Sequence, residues 1–280
     1  MFLFFFLATN NIWSYVSKFS ELPSAFSIEF YLIPPMIVTC YYNLYPQKPE
    51  RFYEYLDLFY DLALSGLPIL LFTDPAMVPK FRLFSHLPHL RIIPLPITDL
   101  KCYQQAMSYV RDLPAHRTPQ KDTKEFYALM NSKMELIHRA LEHTDAETLL
   151  WLDYGILKIV KNKERFLNKL REVIQTRFPK LTIPGCWSFG RTLHVDSIHW
   201  RFCGGFFAMP RSLATTFYEH SACVLRDFCT LPQYKLTWET NVWAVIESCA
   251  ERENIAWYFA DHNDTIVLNI QEHLDKAQRL

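Results

Sequence analysis

Glycine is scarce in this chain, with six in 280 residues. Neither a Gly-x-Gly-x-x-Gly dinucleotide fingerprint nor a phosphate-cradling P-loop occurs, which excludes two common kinds of nucleotide site. Charge imbalance is absent too, since Lys+Arg and Asp+Glu each count 29. With zero formal net charge and no basic run, no nucleic acid and no anionic membrane surface is expected as the main partner. The seven cysteines include no Cys-x-x-Cys pair, a usage that fits a reducing, cytoplasmic setting better than a disulfide framework. No apolar run reaches the roughly 20 residues that span a bilayer, so no stable transmembrane segment is expected. Residues 1–8 are apolar and Phe-rich, but no Lys or Arg precedes them and Asn10-Asn11 interrupts the run. They read as a segment lying on the protein body, with a weak signal or anchor as the other reading. Repeats, low-complexity tracts and Gly/Ser linkers are missing. The expected organisation is a lead-in over residues 1–35 followed by one domain over residues 36–280.

What is present is apolar surface to bury. Hydrophobic residues make up 50% of the chain and aromatics 16%, enough for a large core. From residue 36 onward, strand and helix patterns alternate. Residues 36–42 are β-branched and aromatic, a central strand. Residues 49–64 follow helical spacing, with Phe52, Leu56, Phe59, Tyr60 and Ala63 on one face, Pro49 near the start and Gly66 as the stop. Strands are predicted over 68–72 and 90–94, giving the β-α-β-β outline of a nucleotide-binding sheet. Residues 96–124 are polar and poorly periodic, an excursion over the sheet edge. One helix is predicted over 126–141, with Asn131 and Lys133 near its middle, and another over 163–178.

The most informative stretch is Leu149-Leu150-Trp151-Leu152-Asp153-Tyr154-Gly155. Four apolar residues suit a strand buried on both faces, and Asp followed by Gly two positions on ends it. In an open α/β sheet, ligands bind beyond the carboxyl ends of the strands. Asp153 is therefore either a site carboxylate or the cap of a following helix. Five of the six glycines fall within residues 155–205, among them the pair in Phe202-Cys203-Gly204-Gly205-Phe206. A Gly pair in a strand pattern marks a bulge or a close approach, or else tight packing on a helix. Thr237-Trp238-Glu239 opens a helix, with Thr237 as a fair N-cap and Glu239 in the first turn. Asp261-His262-Asn263-Asp264 follows a predicted strand over 255–259, as a solvated turn or a cation-holding loop. His194, Asp196 and His199 lie within six residues, but no period makes them converge as a zinc site. Tyr41 and Tyr42 read as strand and core residues ahead of a base-stacking platform.

In order, a strand-ending Asp, a glycine loop, a Glu at a helix start and a late His resemble GT-A-type glycosyltransferases. The closer resemblance is to the HtrL/YibB family, through Trp151 to Gly155, Phe202 to Phe206 and Trp238-Glu239. It spans roughly residues 36–269. The resemblance implies a GT-A-like, Rossmann-type, mainly parallel sheet flanked by helices, acting on a nucleotide-sugar donor and a glycan or other hydroxyl acceptor. It implies that Asp153 begins an Asp-x-Asp motif holding the donor diphosphate through Mn²⁺ or Mg²⁺, with His262 as the late metal ligand and Asp261 as a possible oxygen donor. Gly155 stands where the second Asp belongs. Gly204 and Gly205 would admit the donor sugar, and Glu239 would serve the acceptor as base or orienting group. Asp74 would meet the nucleobase or ribose and Lys133 the diphosphate, with Thr39 and Trp151 also on the donor side. The departure at Gly155 favours the alternative of a non-catalytic GT-A-like module that binds a glycan or nucleotide, whereas Glu239 and His262 favour an enzyme.

Overall fold

The computed structural model describes residues 35–270; the expected lead-in and its apolar start fall outside them. Seven strands form one sheet: β1 (Met36–Tyr41), β2 (Ile69–Thr73), β3 (Leu90–Pro94), β4 (Thr148–Leu152), β5 (Leu181–Gly185), β6 (Phe206–Pro210) and β7 (Ile255–Phe259). Their order is β3-β2-β1-β4-β6-β5-β7. Neighbours pair in parallel except at β6, which runs antiparallel to both β4 and β5. This is the mainly parallel sheet expected. Strand β4 pairs with β1 and β6 and is buried along its whole length, which explains its unbroken apolar run.

Helices cover both faces. Phe52 and Phe59 of α1 (Pro49–Ala63) and Phe166 of α5 (Lys163–Val173) lie in one core. The opposite core holds Met134 of α4 (Lys133–Ala140), Phe217 of α6 (Ala214–Thr230) and Trp243 of α7 (Glu239–Ile246). Alternate residues of the strands feed the two cores: Leu150 and Leu152 enter the first, Leu149 and Trp151 the second. All seven cysteines are free thiols. No helix among the described residues is long and apolar enough to cross a membrane.

Three expectations change. The excursion over 96–124 contains a helix, α2 (Lys101–Met107). Its first N–H groups have no local cap; Lys101 N–H and Cys102 N–H donate to the buried Glu135 carboxylate at 2.9 and 2.8 Å, a partner that local periodicity does not register. The helix expected over 126–141 is two, α3 (Lys124–Met130) and α4, parted at Asn131-Ser132. The Asn131 amide donates to the Tyr127 carbonyl at 2.9 Å and the Thr237 carbonyl at 2.8 Å, while Ser132 Oγ donates to the Ala128 carbonyl at 2.8 Å. Side chains of this kind compete with the helical ladder. Strand β5 was not predicted, because Pro184 and Gly185 interrupt its pattern. Beyond these, the glycine pair precedes β6 rather than lying inside it.

The break at Asn131 puts Lys133 at the head of α4. Replacing Asn131 with Ala should destabilise the fold by about 1–3 kcal/mol, since a buried amide with two acceptors is lost. Urea unfolding would measure this, and an unchanged midpoint would show that the break is set elsewhere.

Candidate active site

The topology brings the singled-out residues to one edge. Strands β1, β2 and β4 run in parallel, so Asp74 and Asp153, each directly after its strand, share the carboxyl edge. Strand β7 runs in the same sense and delivers Asp261 and His262 there. Because β6 is antiparallel, it begins at that edge, and Gly204-Gly205 lies immediately before it. Helices α4 and α7 each precede a strand of the parallel sense, and Lys133 and Glu239 are their first residues.

These residues meet around one buried ammonium. Lys133 is 1% exposed, and its Nζ lies 2.9 Å from Asp153 Oδ1 and 2.8 Å from Glu239 Oε1. It also donates to the Gly204 carbonyl at 2.9 Å. An ammonium has three donors, and these acceptors use all three. Burial alone would lower the Lys133 pKa, but the two carboxylates outweigh it and hold the pKa well above its ordinary value. A cation in the first turn of a helix opposes the helix dipole; here Asp153 and Glu239 compensate. Trp151 Nε1 donates a further bond to Asp153 Oδ1 at 2.7 Å, and Asp153 N–H donates to the Gly205 carbonyl at 2.9 Å. The Asp153 side chain stays one-third exposed. Its Oδ2 and the Oε2 of Glu239 accept no hydrogen bond from any described residue, so each carboxylate has one oxygen tied to Lys133 and one free.

The glycines are where side chains would collide with this arrangement. A Cβ on Gly204 would overlap Glu239 Oε1 and lie 3.3 Å from Lys133 Nζ. One on Gly205 would come within 3.0 Å of Ile156 Cδ1 and 3.7 Å of Asp153 Oδ2. The pair thus lies against the site carboxylates and not merely against a packed helix. Gly155 has another cause, since a Cβ there would overlap the Tyr55 ring. The position expected for a second Asp is occupied by aromatic packing.

His262 is at the surface, yet loss of water around its ring is the main influence and lowers its pKa. The Asp153 charge opposes that shift, and Lys133 and Lys121 add to it, which puts the imidazole within electrostatic reach of the carboxylate. Among the described residues, no three His, Cys, Asp or Glu side chains converge as a metal cage. Asp153 Oδ2 and the His262 imidazole are the expected donors, and Asp261 Oδ1 accepts from His262 N–H at 2.7 Å. Two protein ligands fit Mn²⁺ or Mg²⁺ only where phosphate oxygens and water complete the shell.

Other expectations resolve differently. Trp151 is 1% exposed and near-parallel to Phe207 at 6.2 Å between ring centroids, so it positions Asp153 and does not face a donor. Thr39 is wholly buried within β1, with its hydroxyl unpartnered. Lys133 has no donor left for a diphosphate. Asp74 caps the turn after β2 by accepting from Ala76 N–H at 3.0 Å. Trp238, not Thr237, is the N-cap of α7, without a side-chain bond; the Thr237 hydroxyl is buried and unpartnered. The His194, Asp196 and His199 group forms no metal site: Asp196 pairs with Lys235 at 2.5 Å, and the His199 ring packs edge-on against Trp187.

Sequence reasoning missed the ion pair of Arg201 with Glu247. Both are buried, and the guanidinium donates twice to the carboxylate, at 2.7 and 2.6 Å. Arg201 also donates to the Trp187 carbonyl at 2.9 Å. The 46-residue separation left no local signal.

No protein-family model matches the chain, and no curated relative matches it in sequence. Several solved structures align with it. Mouse xyloside xylosyltransferase 1, in its apo form, does so with a TM-score of 0.43 and 12% identity, over 81% of this chain and 85% of that one. For 4-diphosphocytidyl-2C-methyl-D-erythritol synthase from Anaerococcus prevotii the values are 0.40 and 13%, over 87% and 96%. For CMP:2-keto-3-deoxy-manno-octonic acid synthetase complexed with CTP they are 0.41 and 11%, over 88% and 100%.

Removing Lys133 leaves two carboxylates facing each other without a counter-charge. The change Lys133→Met should destabilise the protein by about 3–5 kcal/mol, and Glu239→Gln in the same chain should recover part of it. Denaturant midpoints of both variants test this; a recovery of nothing would show that the carboxylates do not depend on the lysine. The sign of the Lys133 effect restricts its pH window. Its folded pKa is raised, so its stabilisation is complete below the unfolded value of about 10.4 and lost only in more alkaline solution.

The His262 shift has the opposite sense. Its neutral form is favoured in the folded state, so its contribution is present above the unfolded pKa of about 6.5 and declines as pH falls below it. In an NMR titration the imidazole should titrate below that value, and lower still in Asp153→Asn. An unchanged midpoint in that variant would place the two side chains out of reach.

Proposed function

We propose that this protein is a GT-A-type glycosyltransferase of the HtrL/YibB kind, moving a sugar from a nucleotide-sugar to a hydroxyl acceptor. One observation carries the reading: two carboxylates on different elements are held by one buried lysine beneath a glycine pair, each with one oxygen free. A site that only binds a neutral glycan has no need to bury such a group, because partners must neutralise it first.

The roles follow from the free oxygens. Glu239 Oε2 accepts the proton of the acceptor hydroxyl as that oxygen bonds to the anomeric carbon, and the bond from that carbon to the diphosphate oxygen breaks. Lys133 holds Glu239 and Asp153 in register, as a positioning residue. Asp153 Oδ2 and His262 would hold a divalent cation together with the donor, Mn²⁺ ahead of Mg²⁺ because of the imidazole. Such a cation, when bound, supplies positive charge to the leaving diphosphate. Gly204 and Gly205 let the sugar approach the backbone, and Asp74 lies at the edge position suited to the nucleobase or ribose.

A thermal-shift panel of nucleotides and nucleotide-sugars, with and without Mn²⁺, tests the reading. A cognate ligand at 100 times its Kd should add about 2.7 kcal/mol of stability. Glu239→Gln should keep that binding and lose sugar transfer by about 10²–10⁴-fold. Binding without transfer in the wild type, over a broad acceptor set, would favour the non-catalytic module to which the lost second Asp points. Failure of every nucleotide to bind would defeat both.

A further inference from the structure

Two thiols meet at the entry to the glycine pair. Cys186 directly follows β5, and Cys203 directly precedes Gly204-Gly205. Their sulfurs lie 3.7 Å apart, in contact. The backbone holds the two segments side by side: Cys203 N–H donates to the Pro184 carbonyl at 2.7 Å, and Cys186 N–H donates to the Trp200 carbonyl at 3.0 Å. A Cβ on Gly185 would overlap the Arg201 carbonyl, so glycine there permits this close approach. A disulfide needs its sulfurs about 2.05 Å apart, and the remaining distance is left to rotation of two short side chains.

The pair is asymmetric. Cys203 is wholly buried, whereas Cys186 is partly exposed. An oxidant therefore reaches Cys186 first, and Cys203 is the thiol already in contact with it. Both sulfurs also touch the segment after β7. Cys186 Sγ donates to Asp261 Oδ1 at 3.6 Å, the oxygen that accepts His262 N–H, and Cys203 Sγ donates to the Ala260 carbonyl at 3.8 Å. One residue beyond Cys203, the Gly204 carbonyl accepts from Lys133. Cys223 and Cys249, by contrast, are exposed thiols away from the core.

We propose that Cys186 and Cys203 are an oxidisable pair, joined by exchange with a small disulfide such as oxidised glutathione into a bond that locks the loop entering Gly204-Gly205. The Cys186 sulfur attacks one sulfur of the small disulfide, the S–S bond of that molecule breaks, and the first small thiol leaves with the Cys186 proton. The Cys203 sulfur then attacks the Cys186 sulfur of the mixed disulfide, and the second small thiol leaves with the Cys203 proton. The two cysteines lose two electrons and two protons, and the small disulfide gains them. Burial holds both thiols above their ordinary pKa, which slows the exchange at neutral pH. The bond ties residues 17 positions apart, which removes open conformations of the intervening loop. No nucleotide takes part, so the pair stands apart from the sugar-transfer reading.

The test is incubation of the full chain with oxidised glutathione in mildly alkaline buffer, followed by blocking of free thiols, tryptic digestion and mass mapping. Trypsin separates the two cysteines at Arg191 and Arg201. The wild type should show a cross-link between the Cys186 and Cys203 peptides, lighter by two hydrogens and removed by dithiothreitol, while Cys223 and Cys249 carry glutathione. In Cys203→Ser the glutathione should stay on Cys186; in Cys186→Ser, Cys203 should remain a thiol. Hydrogen exchange over residues 187–202 should slow by about tenfold or more in the oxidised wild type. Glutathione persisting on Cys186 in the wild type would overturn the pairing. So would unmodified Cys186 and Cys203 beside fully modified Cys223 and Cys249. Unchanged exchange over the loop would overturn the locking. Mapping of the wild type needs no variant, so it decides the matter even where Cys203→Ser fails to fold.

Discussion

A single buried ammonium organises the carboxyl edge of this sheet. Lys133 reaches three acceptors from three separate parts of the chain: the carboxylate ending β4, the carboxylate opening α7 and a carbonyl of the loop before β6. None of these groups tolerates burial alone, since an isolated charge in low dielectric is strongly unfavourable. Together they neutralise one another. The consequence is geometric: the ends of β4, α4, α7 and the glycine loop cannot move apart without exposing an unpaired charge.

That constraint explains several residues that would otherwise look unrelated. Gly204 is small because Glu239 must pass it to reach Lys133. Trp151 turns its indole N–H to Asp153 while its ring packs in the core, so one residue anchors the carboxylate to the sheet. Asn131 ends α3 and binds the Thr237 carbonyl, tying the start of α4 to the segment that enters α7. Arg201 and Glu247 tie the segment ahead of the glycine pair to the end of α7. The site is a set of element termini held by buried polar groups, most of them with partners far away in the chain.

The same geometry separates positioning from contact. Lys133 and Trp151 are closed inside the protein, and the groups left open are Asp153 Oδ2, Glu239 Oε2 and the His262 imidazole. Gly155 stands where a second Asp was expected, and a side chain there would collide with the Tyr55 ring.

Strand and helix alternation, the burial of β4, the bounds of β3 and β7, and the placement of Asp153 beyond a strand end were legible in the sequence, because periodicity and local residue preference encode them. The convergence of Asp153, Gly204 and Glu239 was suggested only by the order of short motifs. What no local pattern contained was Lys133 as their common partner, the break at Asn131, the α2 helix capped by Glu135, and the Arg201–Glu247 pair. Each depends on a polar contact between residues tens of positions apart, and such contacts exist only once the sheet has brought its strand ends to one edge. Local preference determined the elements; the burial of charge, which is a property of the assembled edge, decided the site.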